Sequence, residues 1–252
     1  MVQNDEMFGV VRCDIRVPGD RKEMFSEMSP IFKNVDIPFE AIGEHIQNFV
    51  IANNLNQKPT RGLIGSVFAN NILLTTPLLR WYMNHGLHVT DVYEVTEYVP
   101  KSCFESFADV SDSRRQGDSD PSTAIIAETM KLFGNSGYGR SLSNKENHLD
   151  IKYCDEASVG LAGKLNILGD NYEISKTKKS IEMDLPIQIG FFVYQYAKLR
   201  MLEFCYDLID KFLDRSDFEY YEMDTDSVYI ALLGESVDAL IKPQLRAEYE
   251  LK

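Results

Sequence analysis

Two aspartates that are two residues apart, Asp224 and Asp226, lie between two runs of strand-forming residues near the C-terminus. Tyr220–Met223 and Val228–Leu232 are predicted to form the strands of a hairpin, which places both aspartates at its tip. Alternate residues of an extended chain point the same way, so both carboxylates can reach one cation. Such pairs hold the Mg²⁺ ions that align phosphates and neutralise charge in phosphoryl transfer.

Other protein classes also use an Asp-x-Asp pair, and turns favour aspartate for their own reasons. A calcium-binding EF-hand loop is excluded, because its sixth position must be glycine and is Tyr229 here. A haloacid-dehalogenase nucleophile is disfavoured, since only 26 residues follow Asp226. A metal-dependent glycosyltransferase would leave the next group of residues unexplained.

Lys131, Asn135 and Tyr138 form the second group, in a segment with helical signals. At 100° per residue their side chains fall within roughly 60° of one another on a helix. An ammonium, an amide and a phenol in a row suit a triphosphate, a sugar and a base. The alternative is the solvated face of an amphipathic helix. The residues predicted to form its packed face are Ile126, Met130, Phe133 and Gly137.

Residue patterning predicts the elements that must position these groups. The predicted strands are 8–17, Leu63–Phe68, Leu87–Val99 and Leu149–Cys154, and the predicted helices are 42–50, Thr76–His85, 102–115, 121–136 and Ile187–Leu213. The first half of the last helix is apolar on nearly all sides and is expected to be deeply packed. Strands at both ends with helices grouped between them indicate an α+β fold.

Composition limits the class of protein. The chain of 252 residues carries 39 acidic and 26 basic side chains, a formal net charge of −13, and 44% of its residues are hydrophobic. This is the composition of a folded globular protein. No stretch is apolar enough to span a membrane and no signal peptide is visible, while four widely spaced cysteines indicate an intracellular protein with reduced thiols.

The acidic excess is concentrated at one end of the chain. Residues 201–252 hold 13 acidic and 5 basic side chains, which is a net charge of −8. Two interpretations stay open: solvated helix faces, or the attraction of divalent cations.

Together, the two groups resemble the family B DNA polymerases. The residues Lys131, Asn135, Ser136, Tyr138 and Gly139 are similar to the second polymerase motif, on the fingers helix. The segment Asp224–Ser227 is similar to the third motif, at the palm hairpin. The resemblance is closest to the protein-primed branch of viruses, linear plasmids, organelles and large DNA transposons, and it covers at least residues 60–252. Further segments that carry it are Ile64–Ser66, Ile72–Leu79, His85–Leu87, Glu97–Tyr98 and Arg114–Pro121.

The resemblance implies an α+β polymerase palm with an antiparallel sheet, plus helical fingers. Residues 1–100 would form the N-terminal part of the palm, 101–139 the fingers and 140–252 the C-terminal part of the palm. The implied activity is template-directed nucleotidyl transfer in DNA replication, with two Mg²⁺ ions or Mn²⁺ as a substitute. The implied partners are a DNA primer-template, deoxynucleoside triphosphates and a terminal priming protein, with no membrane.

The resemblance also assigns the nucleotide contacts. Lys131 would contact the triphosphate of the incoming nucleotide, with Asn135 assisting. Tyr138 would lie under the nascent base pair or the incoming sugar. Arg114 or Arg115 would be a further phosphate contact, the alternative being a solvated loop.

On the same basis Asp226 would be the main ligand of both metal ions and Asp224 an accessory carboxylate. The first polymerase motif, Asp-x-x-Ser-Leu-Tyr-Pro, supplies the opposing carboxylate and does not occur here. Its nearest counterpart begins at Asp14, which we expect to be a structural strand residue. An exonuclease motif and a thumb are also missing from this chain, so a fragment is expected. The fragment alone would be inactive, and the alternative is a silent relic that only binds nucleotide or nucleic acid.

Overall fold

The computed structural model of the chain describes residues 1–101, 124–155, 164–169, 171–224 and 227–251. The chain divides into two compact units, one formed by residues 1–101 with 195–252 and the other by residues 102–194. Both contain helices and small antiparallel sheets, in agreement with the predicted α+β class. Its division into polymerase subdomains stays a prediction. Within the described ranges, no helix has both the length and the hydropathy that crossing a bilayer requires.

A three-stranded antiparallel sheet forms the centre of the first unit. Strand β1 (Gly9–Arg16) lies between two partners, β4 (Phe68–Thr75) and β5 (His88–Glu97). The inner face of β1 is buried and carries Val11, Cys13 and Ile15. The strands predicted at 8–17 and 87–99 are therefore confirmed.

Helix α2 (Thr76–Asn84) begins directly after β4 and covers this sheet. Pro77 occupies its first turn, where a missing backbone N–H costs nothing. Gly86 has a φ of 84°, a conformation that other residues rarely adopt, and so ends the helix as predicted. The helix residues that enter the core are Leu78, Leu79, Trp81 and Tyr82.

A ribbon of two antiparallel strands, β2 (Ile31–Ile37) and β3 (Thr60–Ser66), carries α1 (Glu44–Ala52) between them. The helix was predicted, but β2 was missed. The single strand predicted at Leu63–Phe68 is wrong, because the chain there ends β3 and begins β4. Local pattern did not reveal this break, since strand-forming residues such as Ile64, Val67 and Phe68 continue across it.

The long helix predicted at Ile187–Leu213 is confirmed as α4 (Ile187–Leu202), a π-helical segment (Glu203–Ile209) and a final α-helical turn, α5 (Asp210–Phe212). Its deep packing was predicted in the wrong half. Ile187 is 55% exposed and Tyr194 50%, whereas the fully buried residues belong to the second half. The division between the two units falls inside this helix, after Tyr194. Apolar composition alone did not show which half has packing partners on several sides.

The C-terminal part of the first unit contains the predicted hairpin, β9 (Phe218–Asp224) and β10 (Ser227–Leu232), and a short helix, α6 (Arg246–Tyr249). A second, smaller hydrophobic cluster forms beside it. Its buried members are Ile209, Phe212, Leu213, Phe218 and Ile241.

The second unit contains helix α3 (Ala124–Ser141) and an antiparallel sheet with strand order β6-β8-β7. These strands are β6 (Leu149–Cys154), β7 (Lys164–Leu168) and β8 (Asn171–Thr177). Strand β6 confirms the prediction for 149–154. Helix α3 confirms the helix predicted at 121–136 from Ala124 onward and continues to Ser141, and the predicted start at 121 lies outside the described residues. The helix predicted at 102–115 lies outside the described residues.

Lys198 provides a test of the packing in the first unit. Its ammonium lies 5.1 Å from the ring centre of Phe32 and 5.7 Å from that of Tyr82. Burial lowers the pKa of Lys198 from 10.5 to about 7. Between these two values the unfolded chain binds more protons at this residue than the folded chain does, so the contribution of Lys198 to the free energy of unfolding rises with pH.

We expect Lys198→Met to remove this rise and to stabilise the protein near neutral pH. Urea denaturation of the variant and the wild type, measured at intervals across that pH range, gives the difference between their free energies of unfolding. The change of this difference with pH reports the contribution of Lys198. Lys58→Met replaces an exposed lysine and is the matched control. A difference that does not change with pH would contradict the expectation.

Candidate functional site

The hairpin predicted to hold the metal is present. Strand β9 ends at the first aspartate, and β10 begins directly after the second. Asp224 is the last residue of β9 and pairs with Ser227, the first residue of β10. Only Thr225 and Asp226 lie between them in the sequence. Asp226 and the side chain of Asp224 lie outside the described part of the structure. Metal ligation by this pair therefore stays a prediction.

A β-bulge sets which side chains of the hairpin face the core. Tyr229 pairs with Glu222 and Ile230 pairs with Tyr220, so Tyr221 has no partner in the register. The extra residue changes the alternation of the strand, and Tyr220 and Met223 both pack against the main core although they are three residues apart. The bulge therefore fixes the hairpin against the core close to the aspartates.

A polar network anchors the base of the hairpin. The Tyr220 hydroxyl donates to the carbonyl oxygen of Cys205 at 2.9 Å and lies 3.4 Å from a carboxylate oxygen of Asp210. Arg215 donates to the same carboxylate at 3.2 Å and also pairs with Glu27. Burial raises the pKa of Asp210, and the Arg215 charge opposes that rise. The network connects β9 to the π-helical segment and α5.

Three of the residues predicted as nucleotide contacts lie on one helix, α3, in the second unit: Lys131, Asn135 and Tyr138. Lys131 and Asn135 are exposed, as expected for a face that meets solvent. Tyr138 is half-buried, and its ring meets that of Tyr194 edge-on with 5.9 Å between the ring centres. Lys131 and Asn135 are thus available to a ligand in solvent, while Tyr138 is fixed by packing.

The prediction that Ile126, Met130, Phe133 and Gly137 form the packed face of α3 is wrong. Ile126 is 48% exposed and Phe133 is 60% exposed. The helix instead meets the start of α4 through small residues and Tyr138, around an apolar cavity of about 420 Å³. The residues that line this cavity are Gly134, Gly137, Tyr138, Ser141, Pro186, Ile189 and Val193. Small side chains rather than large ones mark the contact, which a hydrophobicity pattern does not detect.

Close packing of side chains from the end of α3 against the backbone of Gly190 explains part of this choice. The side chain of Leu142, just after α3, occupies the space that a Cβ on Gly190 would need. Lys145 donates one hydrogen bond to the carbonyl oxygen of Glu182 at 2.8 Å and another to the carboxylate of Asp184. The hydrogen bond to Asp184 lowers the pKa of that carboxyl group. The end of α3 is therefore held to the segment that precedes α4.

Asp14, the nearest counterpart to the missing carboxylate, lies in β1 as expected for a strand residue. One carboxylate oxygen accepts the backbone N–H of Asn71 at 2.7 Å. A hydrogen bond from the Tyr93 hydroxyl to Asp14 raises the pKa of Tyr93. The Asp14 carboxylate therefore serves two donors of its own sheet. Arg114 and Arg115 lie outside the described residues, so their proposed phosphate contact is not tested.

Sequence reasoning missed one polar cluster, formed by Trp81, His85 and Asp207. The indole N–H of Trp81 donates to Asp207 at 2.8 Å, and the two His85 ring nitrogens lie 2.8 Å from the Trp81 carbonyl oxygen and 2.7 Å from Asp207. Both ring nitrogens of His85 thus have partners within the protein, as in a structural histidine. The only available signal was the i, i+4 spacing of Trp81 and His85 on a helix. Among the described residues, no group of three or more His, Cys, Asp or Glu side chains could hold a metal ion.

Comparisons of the chain with protein-family models, with curated proteins and with solved structures found no match. No family is assigned on these grounds. The resemblance to polymerases rests on the residues of this chain alone.

The network at the base of the hairpin generates a stability prediction. Tyr220→Phe removes the hydroxyl that serves Cys205 and Asp210, and we expect the free energy of unfolding to fall by about 1 to 3 kcal/mol. Tyr229→Phe removes an exposed hydroxyl from the partner strand, with an expected change within about 0.5 kcal/mol. Urea denaturation measures both. Equal losses in the two variants would show that the network does not stabilise the hairpin.

Proposed function

We propose that this chain is the palm-and-fingers part of a family B DNA-directed DNA polymerase, which extends a DNA primer from deoxynucleoside triphosphates. One observation carries the proposal: Asp224–Ser227 joins the two strands of an antiparallel hairpin whose inner side packs on the main core. A carboxylate pair needs such a fixed tip, because metal-assisted transfer depends on alignment to within about 0.5 Å. The Asp-Thr-Asp-Ser sequence supplies the carboxylates at that place.

The donor set fits Mg²⁺, with Mn²⁺ as a substitute, because both cations prefer carboxylate oxygens. Two such ions supply alignment of the attacking 3′-oxygen and neutralisation of the leaving pyrophosphate. In this proposal Asp226 holds both ions, and Asp224 assists from the end of β9. The hydrogen bond from Tyr220 to the carbonyl oxygen of Cys205 fixes β9, the strand that leads to the two aspartates.

Helix α3 supplies the proposed nucleotide contacts. In this proposal the Lys131 ammonium neutralises the triphosphate and the Asn135 amide donates a hydrogen bond to it. Both side chains are exposed, so a ligand in solvent can reach them. Tyr138 offers a ring whose position is fixed by Tyr194, which suits a flat partner such as a base or a sugar. The exposure of Lys131 and Asn135 supports this role and equally fits a solvated helix face.

The proposed partners are a DNA primer-template and, by the same resemblance, a terminal priming protein, in an intracellular setting. A net charge of −13 repels DNA at long range. Contacts to DNA by this chain must therefore come from local groups of unpaired cations.

A second candidate function is a silent relic that binds nucleotide or nucleic acid without transfer. It is favoured by the engagement of Asp14, the nearest counterpart to the opposing carboxylate in this sequence, with Asn71 and Tyr93. Both remaining carboxylates come from one hairpin, and one-sided ligation leaves the 3′-oxygen unaligned. Primer extension with Mg²⁺ or Mn²⁺ separates the two functions. Extension that Asp226→Ala abolishes would exclude the relic.

The metal assignment is tested by titration with Mg²⁺ or Mn²⁺, followed by calorimetry. We expect Asp226→Ala to abolish binding and Asp224→Asn to weaken it less, because Asp226 is the proposed ligand of both ions. Glu219→Gln removes a carboxylate from the same strand away from the tip and should bind like the wild type. Unchanged binding by Asp226→Ala would refute the assignment.

The nucleotide assignment is tested on Lys131. We expect Lys131→Ala to weaken binding of a fluorescent deoxynucleoside triphosphate about tenfold or more, since it removes a charge-assisted hydrogen bond. The free energy of unfolding should change by no more than about 0.5 kcal/mol, because the side chain is exposed. Lys152→Ala, an exposed lysine on β6, is the matched control. If both variants bind alike, Lys131 belongs to a solvated face.

A further inference from the structure

A cavity of about 300 Å³ lies at the end of β1, away from the hairpin tip in sequence and in a different sheet. We call it the basic cavity. The lining residues that matter are Asp14, Arg16, Lys22, Phe68, Asn70 and Thr90. The sheet fixes two residues of the cavity wall, Val17 and Val67. The backbone N–H of Val17, just beyond β1, donates to the carbonyl oxygen of Val67 at 2.7 Å.

Two β-bulges bring neutral polar groups to the basic cavity. On the β4 side Cys13 pairs with Ile72 and Ile15 with Ala69, so Asn70 and Asn71 both stand opposite Asp14. Asn71 has a φ of 52°, and its freed N–H donates to Asp14. These are the marks of a bulge, a feature that redirects side chains and recurs beside functional sites.

The second bulge lies on the opposite edge of β1. Asp14 pairs with Asp91 and Ile15 with Val89, which leaves Thr90 as an extra residue in β5. Asn70 and Thr90, one from each bulge, both line the basic cavity. Two independent departures from regular pairing thus place an amide and a hydroxyl at the same opening.

Neither cation of the basic cavity has an acidic partner within the described ranges. Among the described residues, no carboxylate lies within 4.0 Å of the charged groups of Arg16 or Lys22, whereas Arg12 on the same strand pairs with Glu94 at 3.2 Å. The one carboxylate in the lining, Asp14, already accepts from Asn71 and Tyr93. In a chain with a net charge of −13, two cations that line one cavity and have no carboxylate partner in the described part of the chain indicate an anionic ligand.

An exposed aromatic ring borders the same opening. Phe68 is 50% exposed. The ammonium of Lys33 lies 3.8 Å from its ring centre and donates to its carbonyl oxygen at 3.1 Å. Cations that follow a backbone together with a ring on which a base can stack are the combination that single-stranded nucleic acids require.

We propose that the basic cavity binds a backbone phosphate of a single-stranded nucleic acid. Arg16 and Lys22 supply charged donors, Asn70 and Thr90 supply neutral donors, and Phe68 stacks on a neighbouring base. The inference rests on the proposed function, since it names where this chain would hold a nucleic-acid partner, but the site itself needs neither a metal ion nor a nucleotide.

The test is fluorescence anisotropy of a short fluorescein-labelled oligothymidylate with the full chain, in buffer containing EDTA. The double variant Arg16→Gln with Lys22→Gln should bind about tenfold or more weakly at low salt. The slope of log affinity against log salt should become shallower by about 1.4, or about 0.7 for each lost contact to a single strand. Lys22→Gln alone changes an exposed turn residue and should lower the slope by about 0.7 without affecting folding.

Arg12→Gln is the matched control, because Arg12 is on the same strand and is already neutralised by Glu94. It should bind like the wild type. Equal binding by Arg12→Gln and the double variant, or an unchanged slope in Lys22→Gln, would overturn the proposal.

Two further arms identify the source of the phosphate and separate this site from the metal hairpin. Phe68→Leu should weaken oligothymidylate binding and leave competition by inorganic phosphate unchanged. If Phe68→Leu has no effect and inorganic phosphate displaces the probe stoichiometrically, the cavity takes free phosphate and the proposal fails. Asp226→Ala should bind the probe normally in EDTA, so failure of the metal assignment is distinguished from failure here.

Discussion

The first unit depends on the burial of the second half of the long helix in the main core that it shares with β1 and α2. Leu199, Leu202, Cys205 and Tyr206 belong to the main core together with the inner face of β1. Burial of apolar side chains is the main favourable term in folding, at about 25 cal/mol per Å². The helix is therefore the element against which the sheet, α2 and the hairpin are placed.

Polar contacts from the same stretch give this packing its specificity. The Tyr206 hydroxyl donates to the carbonyl oxygen of Met28, and Asp207 accepts from Trp81 and contacts His85. The carbonyl oxygen of Cys205 accepts from Tyr220. Part of the acidic excess near the C-terminus is thus structural, since Asp207 and Asp210 serve as hydrogen-bond acceptors for neighbouring elements. Neither a solvated helix face nor cation attraction, the two interpretations from sequence, describes these two residues.

Sequence predicted best where a local signal decides the structure. Pro77 and Gly86 delimit α2, and β-branched residues mark β5, because both effects act on the chain within a few residues. The site hairpin was predicted for the same reason. The packed face of α3 and the buried half of α4 were predicted wrongly, since they depend on which surfaces meet. The bulges at Asn70 and Thr90 were not predicted at all, because a bulge exists only relative to the register of a partner strand.

The π-helical segment Glu203–Ile209 has a consequence for how the hairpin is placed. A π turn takes in more residues than an α turn, so it changes the direction of the side chains that follow it. The apolar stripe up to and including Tyr206 faces the main core, and from Ile209 onward it fills the second cluster. Tyr220 packs against both clusters. The point at which the helix changes pitch therefore acts as a geometric reference for the hairpin, because it sets where the Tyr220 end of β9 packs.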